Sequence, residues 1–401
     1  MKRLAISFNA AALLLFCSAA ALAQSGATRP RRVTPAQPPP DAVADTAPSS
    51  TSAPASNASG ASQGSTAHAF SLLQQKQYDA ALREAKQLSS ADAKNSEAWK
   101  IAGFAELGLK RYADAAGDLQ QAADLQRAEG KPDSHTDDAL AEAYFFAEKY
   151  EQALPLLVAE TTRAGAKPDA ATLYYRGIAE MNLKKTDDAE RSFDEVIKLE
   201  PKNKGALVYL GQMAFARNDY TTAVNMLNRA TLADPTYPRA WELLTQAYLL
   251  RARGAQGQAA DADYLAAVRA SDSLARLRND DQTAILQGQA LFFAKQYDRA
   301  AAVLEKAAAS PKAPDATFFL LGYSYYQTKS YAKAIPALER AAEKTPDNAD
   351  IYRLLGFCYE TNKQYAKALA AYEKGLQLAP NDAYFKESAD RVRPAATTAK
   401  P

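Results

Sequence analysis

Two stretches of this chain, thirty-four residues apart, read almost alike: LLGYSYYQTKSYAKAIPALERAAEKTP at 320–346 and LLGFCYETNKQYAKALAAYEKGLQLAP at 354–380. A chain that returns to one pattern at a fixed period is built from copies of one supersecondary unit, each burying its apolar surface against its neighbours. With Ala349 as position 1, Tyr352, Leu355, Gly356 and Tyr359 stand at positions 4, 7, 8 and 11, one face of a first helix. Tyr365, Ala368, Tyr372 and Gly375 stand at 17, 20, 24 and 27, one face of a second. Pro380, at 32, disfavours helix at the residue before it and ends the pair. Gly356 and Ala368 are small where the two helices must cross, because a longer side chain would push the axes apart.

The same register recurs upstream. Trp99, Gly103 and Ala115 fit one unit, and Ala141 stands in place of the glycine in the next. Gly177 and Ala189, then Gly211 and Ala223, fit two more, and Trp241 opens another. Gly288 and Ala300, then Gly322 and Ala334, precede the last unit with Gly356 and Ala368. This arrangement resembles the tetratricopeptide repeat family over residues 67–382. The resemblance implies an all-α fold: a right-handed α-solenoid of about nine tandem helix-turn-helix repeats. A degenerate first unit around Tyr78 and Ala81 caps one end, and an amphipathic helix at 383–393 covers the other, with a frayed tail at 394–401.

Two places break the period. Residues 130–133 add four residues between the second and third units, and about nine enter the sixth unit around 254–262. A specialised loop or an elongated helix that contacts a partner is one reading of the second insertion; drift in a tolerant loop is the other.

The chain opens MKRLAISFNAAALLLFCSAAALAQ. A short basic start, an apolar run and the small-x-small Ala21-Leu22-Ala23 before Gln24 predict a secretory signal peptide over residues 1–23. The alternatives are a retained anchor, for which the apolar run is short, and a lipoprotein through Cys17, which the bulky Phe16 opposes. No other stretch is apolar enough to span a membrane. Residues 24–66 hold seven prolines and no aromatic residue, which predicts a disordered spacer. Within it, Arg29, Arg31 and Arg32 read as a solvated cluster or as a contact for anionic lipid or polysaccharide.

Lys2 and Arg3 leave with the signal, so the remainder of the 48 Lys and Arg balances the 46 Asp and Glu. A neutral chain argues against nucleic acid, which calls for a basic face. Cys358 is then the only thiol, in the middle of a helical repeat, where a small buried apolar role is expected. The two histidines, His68 and His135, match no metal-ligand spacing. There is no glycine-rich phosphate loop, no His-Glu-x-x-His and no Gly-x-Ser-x-Gly. No catalytic residue, metal or cofactor is expected.

In the family that the chain resembles, first helices line a concave face through positions 2, 5, 9, 12 and 13 of each unit. Those positions here supply Phe104, Phe145, Phe146, Tyr174, Ile178, Val208, Phe215, Ile285, Phe292, Phe319, Tyr323, Tyr326 and Phe357. Such a set predicts either an apolar binding groove or packing between neighbouring repeats. Some members clamp a partner's terminal carboxylate with Lys and Asn; Lys100 is placed for this, but Phe104 stands where the Asn would be. The resemblance implies a non-enzymatic scaffold for a protein or peptide of the bacterial cell envelope, exported to the periplasm or beyond. A rigid spacer or oligomerisation platform, with self-association, is the alternative, and an enzyme a remote third.

Overall fold

The computed structural model describes residues 65–165 and 167–398. The expected signal peptide and nearly all of the spacer, with Cys17, Arg29, Arg31 and Arg32, lie outside the described residues. Nineteen helices and no strand are found among the described residues. They fall into nine consecutive antiparallel pairs and a final helix.

The chain divides into two compact units at residues 206 and 207. The first contains α1 (Thr66–Gln74) paired with α2 (Tyr78–Ala91), and α3 (Ser96–Gly108) paired with α4 (Tyr112–Ala128). It continues with α5 (Ser134–Phe146) and α6 (Tyr150–Thr162), then α7 (Ala170–Asn182) and α8 (Thr186–Leu199). The second unit holds most of α9 (Lys204–Ala216), followed by α10 (Tyr220–Ala233), α11 (Pro238–Gly254) and α12 (Gln258–Leu277). After these come α13 (Asp281–Phe293) with α14 (Tyr297–Ala308), α15 (Asp315–Gln327) with α16 (Tyr331–Lys344), and α17 (Ala349–Thr361) with α18 (Tyr365–Leu378). The last helix, α19 (Ala383–Thr398), packs on α18.

Most first helices start on side-chain caps, α11 and α15 excepted. Asn95, Asp169 and Asp280 accept from the amides of Ala98, Thr172 and Thr283 at 2.9, 2.8 and 2.7 Å, which satisfies a donor the first turn leaves open. Their ends are alike too. In eight of the nine pairs the second residue after the first helix is left-handed, at φ near +60°, and the next amide reaches back to a carbonyl five residues earlier. Arg111 N donates to Glu106 O at 2.8 Å, Ser330 N to Tyr325 O at 2.8 Å, and Gln364 N to Tyr359 O at 2.9 Å. This closure satisfies the last carbonyls and turns the chain at once into the second helix.

The small residues do the steric work expected of them. A Cβ on Gly103, Gly211 or Gly322 would stand 2.5, 2.7 or 2.6 Å from a Leu119, Leu227 or Leu338 side chain, and one on Gly177 2.8 Å from Phe193. Gly288 and Gly356 clash in the same way with Leu304 and Tyr372. Ala115, Ala141, Ala189, Ala223, Ala300, Ala334 and Ala368 are all fully buried. Trp99 and Trp241 each donate an indole N–H to the carbonyl six residues back, Ala93 at 3.0 Å and Pro235 at 2.8 Å.

The insertion at 254–262 is largely helix, broken by a short turn at 255–257. It lengthens α11 and α12 to 17 and 20 residues, and Arg251 pins the extension by a two-pronged bond to Asp263 at 2.6 and 2.8 Å. The four residues at 130–133 follow a lengthened α4 and include Gly130 at φ 70°. At the C-terminal end the helix runs on to Thr398 where a frayed tail was expected from residue 394. The reason is local: the Thr397 hydroxyl donates to the Arg393 and Pro394 carbonyls and carries the turn past Pro394. No described helix is long and apolar enough to cross a membrane.

Candidate binding face

The thirteen residues expected to line the groove do not share one environment. Phe104, Phe145, Tyr174, Ile178, Val208, Phe292, Phe319 and Tyr323 are buried. Phe146, Phe215, Ile285, Tyr326 and Phe357 are half-buried.

In the first unit, Phe145 stacks on Tyr175 of the next pair with ring centroids 4.5 Å apart, and Phe146 meets Tyr112 at 5.0 Å and Tyr175 at 5.4 Å. Tyr174 turns instead toward Phe193, 5.8 Å away, and fills the space that a side chain on Gly205 would need. These rings join successive pairs.

In the second unit the rings form a continuous ladder. Tyr264 stacks on Phe293 at 5.6 Å, and Phe293 meets Phe292 edge-on at 5.4 Å. Phe292 meets Tyr323 at 5.3 Å, Tyr323 meets Tyr326 at 6.1 Å, and Tyr326 meets Phe357 at 5.3 Å. Each step from one pair to the next places the ring at position 12 against the ring at position 9, an edge-to-face geometry that adds to apolar burial. The outer members, Tyr264, Phe293, Tyr326, Tyr331 and Phe357, are half-buried, so a stripe of partly exposed rings faces out. Phe293 sits at position 13 of the same register and was therefore open to detection from spacing. Tyr264 lies on the lengthened α12 just past the insertion, where the register is lost, and Tyr331 belongs to a second helix.

The electrostatics of this stripe are mild. Burial, followed by neighbouring tyrosines, pushes Tyr326 up to about 12, and burial does the same to Tyr297. Both hydroxyls therefore remain protonated donors near neutral pH. Lys100 is not free to hold a carboxylate: it is buried against Glu97 at 2.8 Å and Asp133 at 3.3 Å.

The other chemistry-bearing groups are engaged locally. His68 pairs with Glu84 at 2.7 Å on the surface. The amide of His135 donates to Asp133 at 2.9 Å. Burial raises the Asp133 carboxyl, but this amide and Lys100 outweigh it and hold the group below the usual range. Cys358 is wholly buried, and burial pushes its thiol up to about 12, so it carries no thiolate at neutral pH. No cluster of metal-ligating side chains occurs among the described residues.

No curated protein sequence matches the chain. Many solved structures are similar. The peptide-binding repeat protein YrrB is 16% identical with a TM-score of 0.41, covering 50% of this chain and 99% of that one. A repeat protein from Parabacteroides merdae is 14% identical with a TM-score of 0.39, covering 65% and 98%. MamA is 18% identical with a TM-score of 0.38, covering 46% and 95%. One model described as tetratricopeptide repeat matches residues 66–132, 285–343 and 319–383. A second model of the same description matches residues 181–247. With the repeat matched over most of the described residues, in the register that places Gly103, Gly322 and Gly356 at the helix crossings, the chain belongs to the tetratricopeptide repeat family.

Proposed function

We propose that this chain is an exported, non-enzymatic scaffold of the bacterial cell envelope, and that it holds a protein or peptide segment against the ring stripe of its second unit. The observation that carries this reading is the stripe itself. Tyr264, Phe293, Tyr326 and Phe357 are braced from behind by buried Phe292 and Tyr323, so little entropy is lost when a partner covers them. The basic-then-apolar start of the sequence and its Ala21-Leu22-Ala23 site support export.

The test is in-cell crosslinking of the exported protein, followed by the Phe293→Gln and Tyr326→Gln double variant. Loss of one dominant envelope partner with unchanged helical signal supports the reading; retention of that partner sinks it. The burial of eight of the thirteen groove residues favours a second reading, a rigid spacer or self-assembly platform. Sedimentation of the purified protein separates the two, because only the second predicts a defined oligomer without partner.

A further inference from the structure

The hairpin turns of the second unit carry a surface of a different kind. Between α13 and α14, α15 and α16, and α17 and α18, the left-handed residue is a lysine each time: Lys295, Lys329 and Lys363, at φ 61°, 60° and 59°. Glycine adopts this conformation freely and Asn tolerates it. Another side chain costs roughly 1–2 kcal/mol there, offset only in part by a cation's attraction to the helix end, about 0.3–1 kcal/mol. Four residues on stands a second cation, Arg299, Lys333 or Lys367, in the first turn of the following helix. The helix dipole disfavours positive charge at that end. Two local rules are thus broken at the same places in three successive repeats, which marks a constraint other than folding.

All six side chains are exposed. Lys329 and Lys363 have no acidic partner among the described residues. Lys295 lies 3.8 Å from Asp261, and Arg299 bonds Asp272 at 3.0 Å. Lys333 and Lys367 rest over the rings of Tyr325 and Tyr359, and Lys367 stands 4.0 Å from Glu339. The first helices of these pairs run parallel and touch in sequence, α13 to α15 and α15 to α17. The three turns therefore emerge at one end, about 10 Å apart.

We propose that this lysine edge docks an acidic polypeptide segment lying extended across the three turns. Successive turns along one edge present these cations in series. A flat anionic surface pressed on the edge would also meet the carboxylates of Asp261 and Asp272, beside Lys295 and Arg299, whereas a single chain can run past them. Extended backbone advances about 3.3 Å per residue, so an acidic residue at every third position meets successive turns. The edge shares no residue with the ring stripe and stands whether or not the stripe binds a partner. In the first unit Lys76, Lys110 and Lys184 hold the same conformation, but Glu148 interrupts the series.

The test uses the full chain, a fluorescent oligoglutamate peptide and anisotropy at low and high salt. The wild type is expected to bind at low salt and release at about 0.5 M, where exposed charges are screened. The combined Lys295→Gly, Lys329→Gly and Lys363→Gly variant should bind at least tenfold more weakly while its melting temperature holds or rises. The corresponding Asn triple should match it, and the Arg triple should bind like wild type. No binding by the wild type, or equal binding by the glycine triple, overturns the proposal. So does tighter, lysine-dependent binding to phosphatidylglycerol vesicles than to the peptide, which would make the edge a membrane contact.

Discussion

The hydroxyl of Tyr372 donates to Glu360 at 2.8 Å, and the same carboxylate takes two bonds from Arg391 of the last helix at 2.9 and 3.0 Å. One acid thus ties the last hairpin to α19. Behind it, wholly buried Phe385 occupies the space that a side chain on Gly375 would fill, and Arg353 lies over its ring at 4.7 Å. The two attachments differ in strength. Arg391 is about half exposed, so Arg391→Ala should cost no more than about 1 kcal/mol. Phe385→Ala should cost about 3–5 kcal/mol. Burial works against the Glu360 charge, but Arg391 and Tyr372 outweigh it and hold the carboxyl below its usual range. The contribution of this tie is therefore present above the unfolded carboxyl range and lost as pH falls through the folded one. Urea unfolding of wild type and Arg391→Ala should converge in acid.

Glu106 makes the opposite prediction. It is buried beside Asp118, with Lys86 Nζ 2.5 Å from Asp118 and 3.6 Å from Glu106. Burial first, and then Asp118, raise the Glu106 carboxyl from 4.5 to about 7, with Lys86 opposing. The protonated form suits the fold, so this stability is full below pH 4.5 and lost as pH rises toward about 7. The swing is of the order of 2–3 kcal/mol at most. Glu106→Gln should flatten the slope between pH 5 and 8 and leave the variant the more stable at pH 8, as read by denaturant midpoints.

The helix crossings give a matched pair of glycine substitutions. Gly322→Ala puts a methyl 2.6 Å from Leu338 and should destabilise by about 1–3 kcal/mol. Gly117→Ala on α4 meets nothing within 4 Å and should stabilise by about 0.5–1 kcal/mol through helix propensity. Calorimetry on the two variants checks both signs.

Within the ring ladder, Phe319 and Phe357 separate core from surface. Phe319 is 7% exposed, and Phe319→Ala should cost about 3–5 kcal/mol. Phe357 is half-buried, and its truncation should cost distinctly less stability while weakening partner capture. Equal losses in thermal unfolding would make the whole ladder interior.

The helix pairs were legible because their spacing is enforced by contact. Gly103 and Gly322 are glycine for the same reason, a leucine seated on the crossing, and such a reason repeats at a fixed interval. The environment of the ring residues was less legible. Position 9 or 12 tells which way a side chain leaves its helix, but only the next pair decides whether Tyr323 is covered and Phe357 is not. The 254–262 insertion left a loop and an elongated helix both open, because the bond from Arg251 to Asp263 that fixes the helices joins residues whose pairing no repeat predicts. The lysine turns were visible as letters at a constant interval; what the spacing alone withheld was their left-handed backbone.

Each of those turns closes with groups no more than five residues away. A hairpin therefore brings its own punctuation wherever it is copied. Duplication or loss of one unit in the gene leaves every remaining turn chemically intact, so an array like this can change length in whole pairs without relearning how to fold.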